Sequence, residues 1–385
     1  MRSLLRRADS PWACLLIVAL AWLVVILGRL ADYDYRISFF ITAGDYFVDS
    51  EALESPIVVL EDSYGYDGQF YYRLALDPFT PERREMGVMI DTPAWRHQRI
   101  GYPLLVWALS FGQAEAVPFV MVGVNYLAVC LLGWLGGWIA MKLGFHALWG
   151  LILPFYPGFH FSLVRNLAEI VEAAFMTMSV ALLMARRPLL ASAALAYGIL
   201  VKEISVVLAG SMFLIWIWQS IRRRESPLRW YVPVFPLSVF VLWHLTLKIR
   251  WGYFPTQGGT GDLALPFVDF IHFFGWTAQM NTHLQRVWFA DLCVIVLVSG
   301  LTVAGLFASK IDSWVKLTWL FYFSLAATFS SAIWVDDWGF MRALAEYHVM
   351  AALIAIGSPR WIRGPAAFFI IGLWIYTAHG MLNGR

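Results

Sequence analysis

The chain has 385 residues, of which 60% are hydrophobic and 14% charged, with a formal net charge of +2 and a mean hydropathy of +0.65. Soluble domains carry charge on roughly a quarter of their residues, so this composition excludes an ordinary soluble domain. Apolar runs of about 20 residues, enough to cross the ~30 Å hydrocarbon layer as helices, recur along the chain. We therefore expect an all-α polytopic membrane protein with the lipid bilayer as a partner and no nucleic-acid partner.

The first apolar run follows a basic N-terminus and lacks the small-residue cleavage pattern of a signal peptide, so we expect it to be retained. We treat residues 1–385 as a single integral membrane domain with about 11 transmembrane helices (about 10 to 12). The predicted spans are 11–29, 117–141, 146–164, 166–185, 188–201, 204–219, 230–248, 287–308, 317–334, 344–357 and 365–382. A shorter apolar stretch, 102–113, predicts an interfacial helix.

The distribution of charge predicts the orientation. With the N-terminus in the cytoplasm, the inner segments hold 14 of the 28 lysines and arginines but only three of the 26 acids. Because inner loops of membrane proteins are enriched in lysine and arginine, this arrangement is favoured. It leaves two long outer loops, residues 30–101 and 249–286. It also divides the apolar run 188–219 into two short crossings joined at Lys202-Glu203, and an ionisable pair at that depth indicates function.

The most distinctive polar segment, residues 64–73, lies in the first outer loop and reads YGYDGQFYYR. Asp67 precedes a predicted short helix, so one interpretation is that its carboxylate only caps that helix. The alternative is a functional carboxylate, because Gln69 and Arg73 share a helix face beside it. Neighbouring tyrosines such as Tyr71 offer flat, partly polar surfaces of the kind that stack on sugar rings.

Charged residues recur where other predicted spans begin. Arg96 and Arg99 precede the point where the first loop re-enters the membrane, and they suit either phosphate binding or contact with lipid headgroups. Arg165 and Glu169 share one helix face, which predicts either a structural ion pair or a functional interior face.

The last polar cluster lies between two predicted spans near the C-terminus. Its adjacent acids, Asp336 and Asp337, suit either a divalent cation or simple solvation. Arg342 and Glu346 follow on a shared helix face. Under the predicted topology the costly charges lie at one outer membrane face, and a single polar cavity that opens outward explains them together. These charges are Asp67, Arg99, Arg165, Lys202, Glu203 and Arg342.

In its first-loop motif and several later segments, the chain resembles the GT-C class of polyprenyl-phosphate-sugar-dependent glycosyltransferases. The segment 65–75, GYDGQFYYRLA, is similar to the first-loop motif of bacterial relatives implicated in cell-surface glycopolymer formation. Segments 165–169, 202–203 and 337–342 also look like that group. The resemblance implies a GT-C-like fold with a large first periplasmic loop in the bacterial inner membrane and an active site that faces the periplasm.

The resemblance also implies a reaction. Asp67 would be the catalytic base of an inverting hexosyl transfer from a polyprenyl-phosphate sugar donor to a cell-envelope glycan, lipid or protein acceptor. Basic side chains would stabilise the lipid phosphate that leaves. The substrate- and phosphate-binding residues predicted in this way are Gln69, Tyr71, Arg73, Arg99, Arg165, Glu169, Lys202, Glu203 and Arg342.

Metal dependence stays open at this stage. Many GT-C members have two nearby acids in the first loop, whereas this neighbourhood supplies Asp45 and Asp62 rather than a plain DxD. Together with Asp336 and Asp337, these are the candidate ligands for a divalent cation.

Two other functions fit parts of the sequence. An O-antigen-type polymerase or ligase also has large periplasmic loops with arginines that handle lipid-linked phosphates. A secondary transporter would suit the short crossings in 188–219 and the intramembrane charges. Transporters, however, commonly show paired repeats and rarely need an acidic outer loop of this length.

Overall fold

The computed structural model describes residues 9–222, 228–258, 261–279, 282–335 and 339–382. Short 3₁₀-helices lie at Ile37–Ile41, Ser50–Ala52, Ala147–Ile152, Glu203–Ser205 and Pro255–Gly258. In chain order the α-helices are α1 Pro11–Ala31, α2 Gly68–Leu76, α3 Pro93–His97, α4 Gly101–Ser110, α5 Val117–Lys142, α6 Gly158–Val164, α7 Glu169–Met184, α8 Pro188–Val201, α9 Val206–Ile221, α10 Tyr231–Trp251, α11 Val268–Thr277, α12 His283–Ala308, α13 Ser313–Ala327, α14 Ser331–Val335, α15 Gly339–Ala343, α16 Ala345–Ile356 and α17 Arg360–Leu382.

Within the described residues, six helical segments are long and apolar enough to cross a membrane. They are α1, α5, α9 with the 3₁₀ turn before it, α10, α12 and α17, and shorter apolar helices include α4, α8 and α16. Every predicted span contains a helix. The prediction of an all-α polytopic membrane protein is confirmed, and the count of about 11 crossings stays a prediction.

Two predicted spans are interrupted. Span 146–164 divides into the 3₁₀-helix Ala147–Ile152 and α6, because the prolines between them lack the N–H that a continuous helix needs. Span 317–334 ends early, at the end of α13, because the second loop pairs with the chain there. The Thr328 carbonyl accepts from the Ala264 N–H at 2.7 Å, and the Ser330 N–H donates to the Asp262 carbonyl at 2.9 Å.

Small residues let the first long helices approach closely, as is common where helices pack in membranes. A Cβ atom at Gly133 of α5 would lie 2.7 Å from a methyl carbon of Val18 in α1. Further along α5, a Cβ at Gly136 would lie 2.4 Å from the carbonyl oxygen of Gly150 in the 3₁₀-helix. These contacts leave no room for a side chain, so α1, α5 and the 3₁₀-helix form one tightly packed unit.

The apolar run 188–219 divides at the predicted position. Helix α8 ends at Val201, Lys202 is extended (φ −153°, ψ 122°), and a 3₁₀ turn from Glu203 leads into α9. The start of α4 packs on this break, because a Cβ at Gly101 would lie 2.6 Å from the Val201 nitrogen. The break therefore places Lys202 and Glu203 inside the protein, beside the end of the first loop.

The first loop contains local structure rather than irregular chain. Strands β1 Ala43–Gly44 and β2 Val59–Leu60 pair in parallel, and β3 Arg84–Glu85 pairs antiparallel with β4 Val88–Met89. Helix α2 then inserts its glycine-led N-terminus against the segment before α7. A Cβ at Gly68 would lie 2.3 Å from the Arg165 carbonyl oxygen and 2.5 Å from that of Ile41.

We expect Gly68→Ala to lower the melting temperature in detergent, with a destabilisation of about 2 kcal/mol from overpacking against backbone that has little freedom to move. Gly123→Ala is the matched control, because a Cβ at that helix position would meet no atom of the described residues within 4 Å. Alanine is favoured over glycine inside helices, so the control is expected to melt at the same temperature or higher. Equal melting temperatures for the two variants would show that the Gly68 contact does not constrain the loop.

Candidate active site

The loop that carries Asp67 is held by its own backbone and by one amide side chain. Gly65 has a positive φ of 62°, and the next residue, Tyr66, donates its N–H to the Thr42 carbonyl at 2.8 Å. The Gln69 side chain accepts from the Gly44 N–H at 3.0 Å and donates to the Tyr64 carbonyl at 2.8 Å. Gln69, which is predicted to bind substrate, therefore links the backbone at Gly44 to the backbone at Tyr64.

Asp67 lies at the N-cap position of α2, but its side chain accepts no hydrogen bond from that helix. Its oxygens instead accept from two arginines. Arg96 Nη1 lies 2.7 Å from Oδ1, and Arg342 Nη1 lies 2.8 Å from Oδ2. Of the two sequence interpretations, the simple helix cap is therefore wrong, and the carboxylate faces a group of cations.

The same cations set the pKa of Asp67. Burial by itself would raise it, but Arg96, Arg342 and Arg99 together hold the pKa well below its usual range. The carboxylate is therefore ionised at neutral pH and keeps its proton affinity low while the arginines remain in contact.

A second ion pair joins the first loop to the break after α8. Arg99 binds Glu203 in a bidentate manner, with Nε to Oε2 at 2.9 Å and Nη2 to Oε1 at 2.8 Å. Its remaining Nη1 lies 3.5 Å from the hydroxyl of the buried Tyr71. The Arg99 guanidinium and the Glu203 carboxylate are thereby held in one orientation, because two parallel hydrogen bonds restrict rotation of both groups.

A third group lies deeper. Lys202 Nζ is 2.5 Å from Glu346 Oε1 and 3.4 Å from Glu169 Oε1. Glu169 also approaches Arg342 Nε at 3.5 Å, which links this group to Asp67. Behind it, the buried Glu172 accepts from the Ser205 hydroxyl at 2.5 Å. The ion pairs from Arg96 through Asp67 and Arg342 to Lys202 thus form one connected network, and the Arg99–Glu203 pair lines the same cavity beside it.

Four acids of these ion pairs share a structural position. Asp67 lies at the N-cap position of α2, Glu169 begins α7, Glu203 begins the 3₁₀ turn before α9, and Glu346 lies in the first turn of α16. Helix N-termini carry partial positive charge and favour anions. Four helix starts therefore converge on the same region, which makes it a favourable place for a negatively charged ligand as well.

These residues surround a cavity of about 660 Å³. Its charged lining consists of the bases Arg96, Arg99, Lys202 and Arg342 and the acids Asp67, Glu169, Glu203, Asp262 and Glu346. Aromatic and apolar side chains such as Trp95, Tyr322 and Phe329 complete the wall. An apolar cavity of about 230 Å³ adjoins it, and both cavities are lined by Leu344 and Tyr347.

Of the nine predicted binding residues, four do not line this cavity: Gln69, Tyr71, Arg73 and Arg165. Arg73 is fully buried and binds Thr80 Oγ1 at 2.8 Å and Glu85 Oε2 at 2.5 Å, which ties α2 to strand β3. The structure therefore places Arg73 in the support of α2, and its contact with substrate stays a prediction. Arg165 lies with its guanidinium 4.3 Å from the ring centre of Tyr66, one residue before Asp67, at the edge of the site.

Of the candidate metal ligands, the structure describes Asp45 and Asp62, and whether the protein needs a metal stays open. Asp45 accepts the backbone N–H groups of Asp62 and Ser63 at 2.9 and 3.0 Å, and these bonds lower the pKa of Asp45. Across the part of the chain that the structure describes, no group of three or more His, Cys, Asp or Glu side chains is placed to hold a metal ion. Asp336 and Asp337 lie outside the described residues.

Two residues of the network have partners that their sequence neighbourhood does not show. The sequence places Arg96 beside Arg99 as a phosphate contact, yet it is Arg96 that binds Asp67, and Asp91 fixes it from the other side at 2.8 and 2.6 Å. The sequence presents Glu346 as the helix neighbour of Arg342, whereas the structure shows that it binds Lys202. The spacing of Arg96 from Arg99 and of Glu346 from Arg342 marks both residues as candidates, but their partners are distant in sequence.

The architecture is similar to that of a solved structure, ArnT from Cupriavidus metallidurans bound to undecaprenyl phosphate. The TM-score is 0.50 at 13% sequence identity, and the match covers 91% of this chain and 62% of the ArnT chain. No family model and no curated protein sequence matches the chain. ArnT is a GT-C glycosyltransferase. This chain is therefore an all-α polytopic membrane protein whose fold is similar to that of ArnT.

The Arg99–Glu203 pair generates a prediction about stability. Glu203→Gln leaves a largely buried guanidinium without its counter-charge, so we expect a destabilisation of about 3 kcal/mol. The double variant Arg99→Met/Glu203→Met removes both charges and is expected to recover most of the melting temperature, measured in detergent. A double variant as unstable as Glu203→Gln would place the loss outside the ion pair.

Proposed function

We propose that the protein is a membrane glycosyltransferase that transfers a sugar from a polyprenyl-phosphate-linked donor to a hydroxyl of a cell-envelope acceptor. The observation that carries this proposal is the cavity that the Asp67 carboxylate lines together with four basic side chains, beside an apolar cavity. A sugar phosphate attached to a lipid has the same three parts: a hydroxyl-rich ring, an anion and a hydrocarbon chain. The GT-C architecture supports this assignment.

The phosphate would bind between the arginines. Guanidinium groups bind phosphate oxygens in bidentate geometry, and Arg96 and Arg342 already present their Nη1 atoms to a carboxylate. The converging helix N-termini add to the positive potential. Lys202 and Arg99 lie in the same cavity wall and would stabilise the charge that develops on the leaving phosphate.

The first part of the polyprenyl chain would occupy the apolar cavity. Its lining is almost entirely hydrocarbon and includes Phe267, Phe270 and Ile295. An apolar lining keeps the chain out of water while its phosphate enters the polar cavity. Leu344 and Tyr347, which both cavities share, would lie where the phosphate joins the lipid.

The chemistry would be a single displacement with inversion. The oxygen of the acceptor hydroxyl attacks the anomeric carbon while Asp67 takes the hydroxyl proton. As the new carbon–oxygen bond forms, the bond from the anomeric carbon to the phosphate oxygen breaks, and its electron pair remains on the lipid phosphate. Asp67 would be the catalytic base, and the cavity arginines would bind the leaving group.

We place the protein in the bacterial inner membrane, with the N-terminus in the cytoplasm and the cavity open to the periplasm. The excess of lysine and arginine in the proposed inner segments supports this orientation. The acceptor would then be a glycan, lipid or protein of the envelope, delivered from the periplasmic side.

Asp67→Asn is expected to lower the transfer rate at least 100-fold, because a positioned base typically contributes 10²–10⁴ to the rate. The rate would be measured with polyprenyl-phosphate sugars and membrane acceptors, alongside the melting temperature. Asp34→Asn is the control, since Asp34 is an exposed loop residue paired only weakly with Arg36 at 3.5 Å. Full activity in a folded Asp67→Asn variant would exclude the catalytic role of Asp67.

The product separates this proposal from its alternatives. Incubation of the purified protein with a polyprenyl-phosphate sugar and acceptor is expected to release the lipid monophosphate in amounts equal to the sugar transferred. Release of a lipid diphosphate from a diphosphate donor would favour the polymerase or ligase. Uptake of solute into proteoliposomes, without any lipid phosphate release, would favour the transporter.

A further inference from the structure

The arrangement around Asp67 poses a chemical problem for the base. A general base needs an oxygen aimed at the acceptor hydroxyl and a pKa that is not far below the working pH. Each oxygen of Asp67 is instead held by a guanidinium group, at 2.7 and 2.8 Å, which fixes the orientation of the carboxylate and draws on its negative charge. The same contacts hold its pKa well below the usual range. In this arrangement Asp67 is a weak base.

The two arginines do not depend on Asp67 for their positions. Arg96 donates Nε and Nη2 to Asp91 at 2.8 and 2.6 Å, and its guanidinium lies 4.1 Å from the ring centre of Phe70. Each of these contacts leaves Nη1 directed at Asp67. The guanidinium is therefore fixed from one side and would keep its position if Asp67 moved away.

Arg342 also has contacts besides Asp67, although they are longer than those of Arg96. Its Nε lies 3.5 Å from Glu169 Oε1, and its guanidinium lies 5.1 Å from the ring centre of Tyr66. Its Nη1 is directed at Asp67. Two independently anchored guanidinium groups that share one anion form a preorganised anion site, and the anion now in it is a side chain of the protein.

We propose that Asp67 occupies the phosphate site of the empty enzyme, and that the donor phosphate displaces it from Arg96 and Arg342 and thereby makes it a competent base. This inference rests on the proposed glycosyl transfer. A phosphate oxygen competes well with a carboxylate for guanidinium because it offers the same charge and a matching geometry.

The displacement has a consequence for the order of events. Once a phosphate neutralises the two arginines, the carboxylate loses its counter-charges and its affinity for a proton rises. The acceptor hydroxyl therefore meets an active base only when the donor is already bound. The donor binds first, and the empty enzyme does not activate water or acceptor.

The test is a binding measurement that needs no turnover. Undecaprenyl phosphate in detergent is titrated into wild type and Asp67→Asn. We expect the variant to bind this ligand about tenfold more tightly, because the ligand's phosphate no longer competes with a charged carboxylate for the arginines. Undecaprenol, which lacks the phosphate, is expected to bind both proteins equally. Equal or weaker binding of undecaprenyl phosphate by Asp67→Asn would overturn the proposal.

Asp262→Asn separates direct competition from a general change of charge. Asp262 also lines the cavity, but no ion pair joins it to an arginine among the described residues. We expect this variant to bind undecaprenyl phosphate within about twofold of wild type. An equal gain in affinity for Asp262→Asn and Asp67→Asn would mean that only the net charge matters and would overturn the displacement.

A labelling experiment on wild type covers the case in which Asp67→Asn does not fold. Carbodiimide with an amine nucleophile labels accessible carboxyl groups, and we expect undecaprenyl phosphate to increase labelling of Asp67 but not of Asp91. Unchanged or decreased labelling of Asp67 would overturn the proposal. If no protein binds undecaprenyl phosphate, the proposed function itself fails, which is distinct from equal binding by wild type and variant.

Discussion

Two arginines that lie 246 positions apart in the sequence, Arg96 and Arg342, converge on the carboxylate of Asp67. Partly buried charges in so apolar a protein are costly unless they are paired. A movement that separated a pair would leave an uncompensated charge, so each contact restricts the helix or loop that supplies it. Helix α3, helix α15 and the start of α2 are held together at this point. The rest of the cavity follows, because Glu169 and Lys202 extend the pairing into the interior.

The convergence of helix N-termini explains why this region tolerates so many acids and why it suits an anionic ligand. Each acid of the network occupies a place where the helix dipole favours negative charge. When a phosphate enters, the same partial charges and the same guanidinium groups are available to it. A site built in this way can stabilise its own carboxylate while empty and a substrate anion while occupied, which is the physical basis for linking donor binding to the reactivity of Asp67.

The motif of the first loop divides into structural and chemical residues, and the sequence could not separate them. Gln69 and Arg73 share a helix face and look equally suited to substrate. The Gln69 side chain makes hydrogen bonds to the backbone of the loop, and Arg73 is buried against Glu85. The interruptions of two predicted spans have a similar origin. Proline spacing in 154–157 was visible in the sequence, whereas the pairing of Thr328 with the second loop involves residues more than 60 positions away.

The sequence by itself determined the membrane class, the positions of the helices, the break at Lys202 and the set of polar residues that a bilayer protein does not carry without reason. These depend on local composition and on the length of apolar runs, which the sequence displays directly. Only the tertiary structure decided which charge meets which. Arg96 rather than Arg99 binds Asp67, and Glu346 rather than Glu203 binds Lys202. Pairing depends on how distant helices pack, and no local pattern encodes that packing.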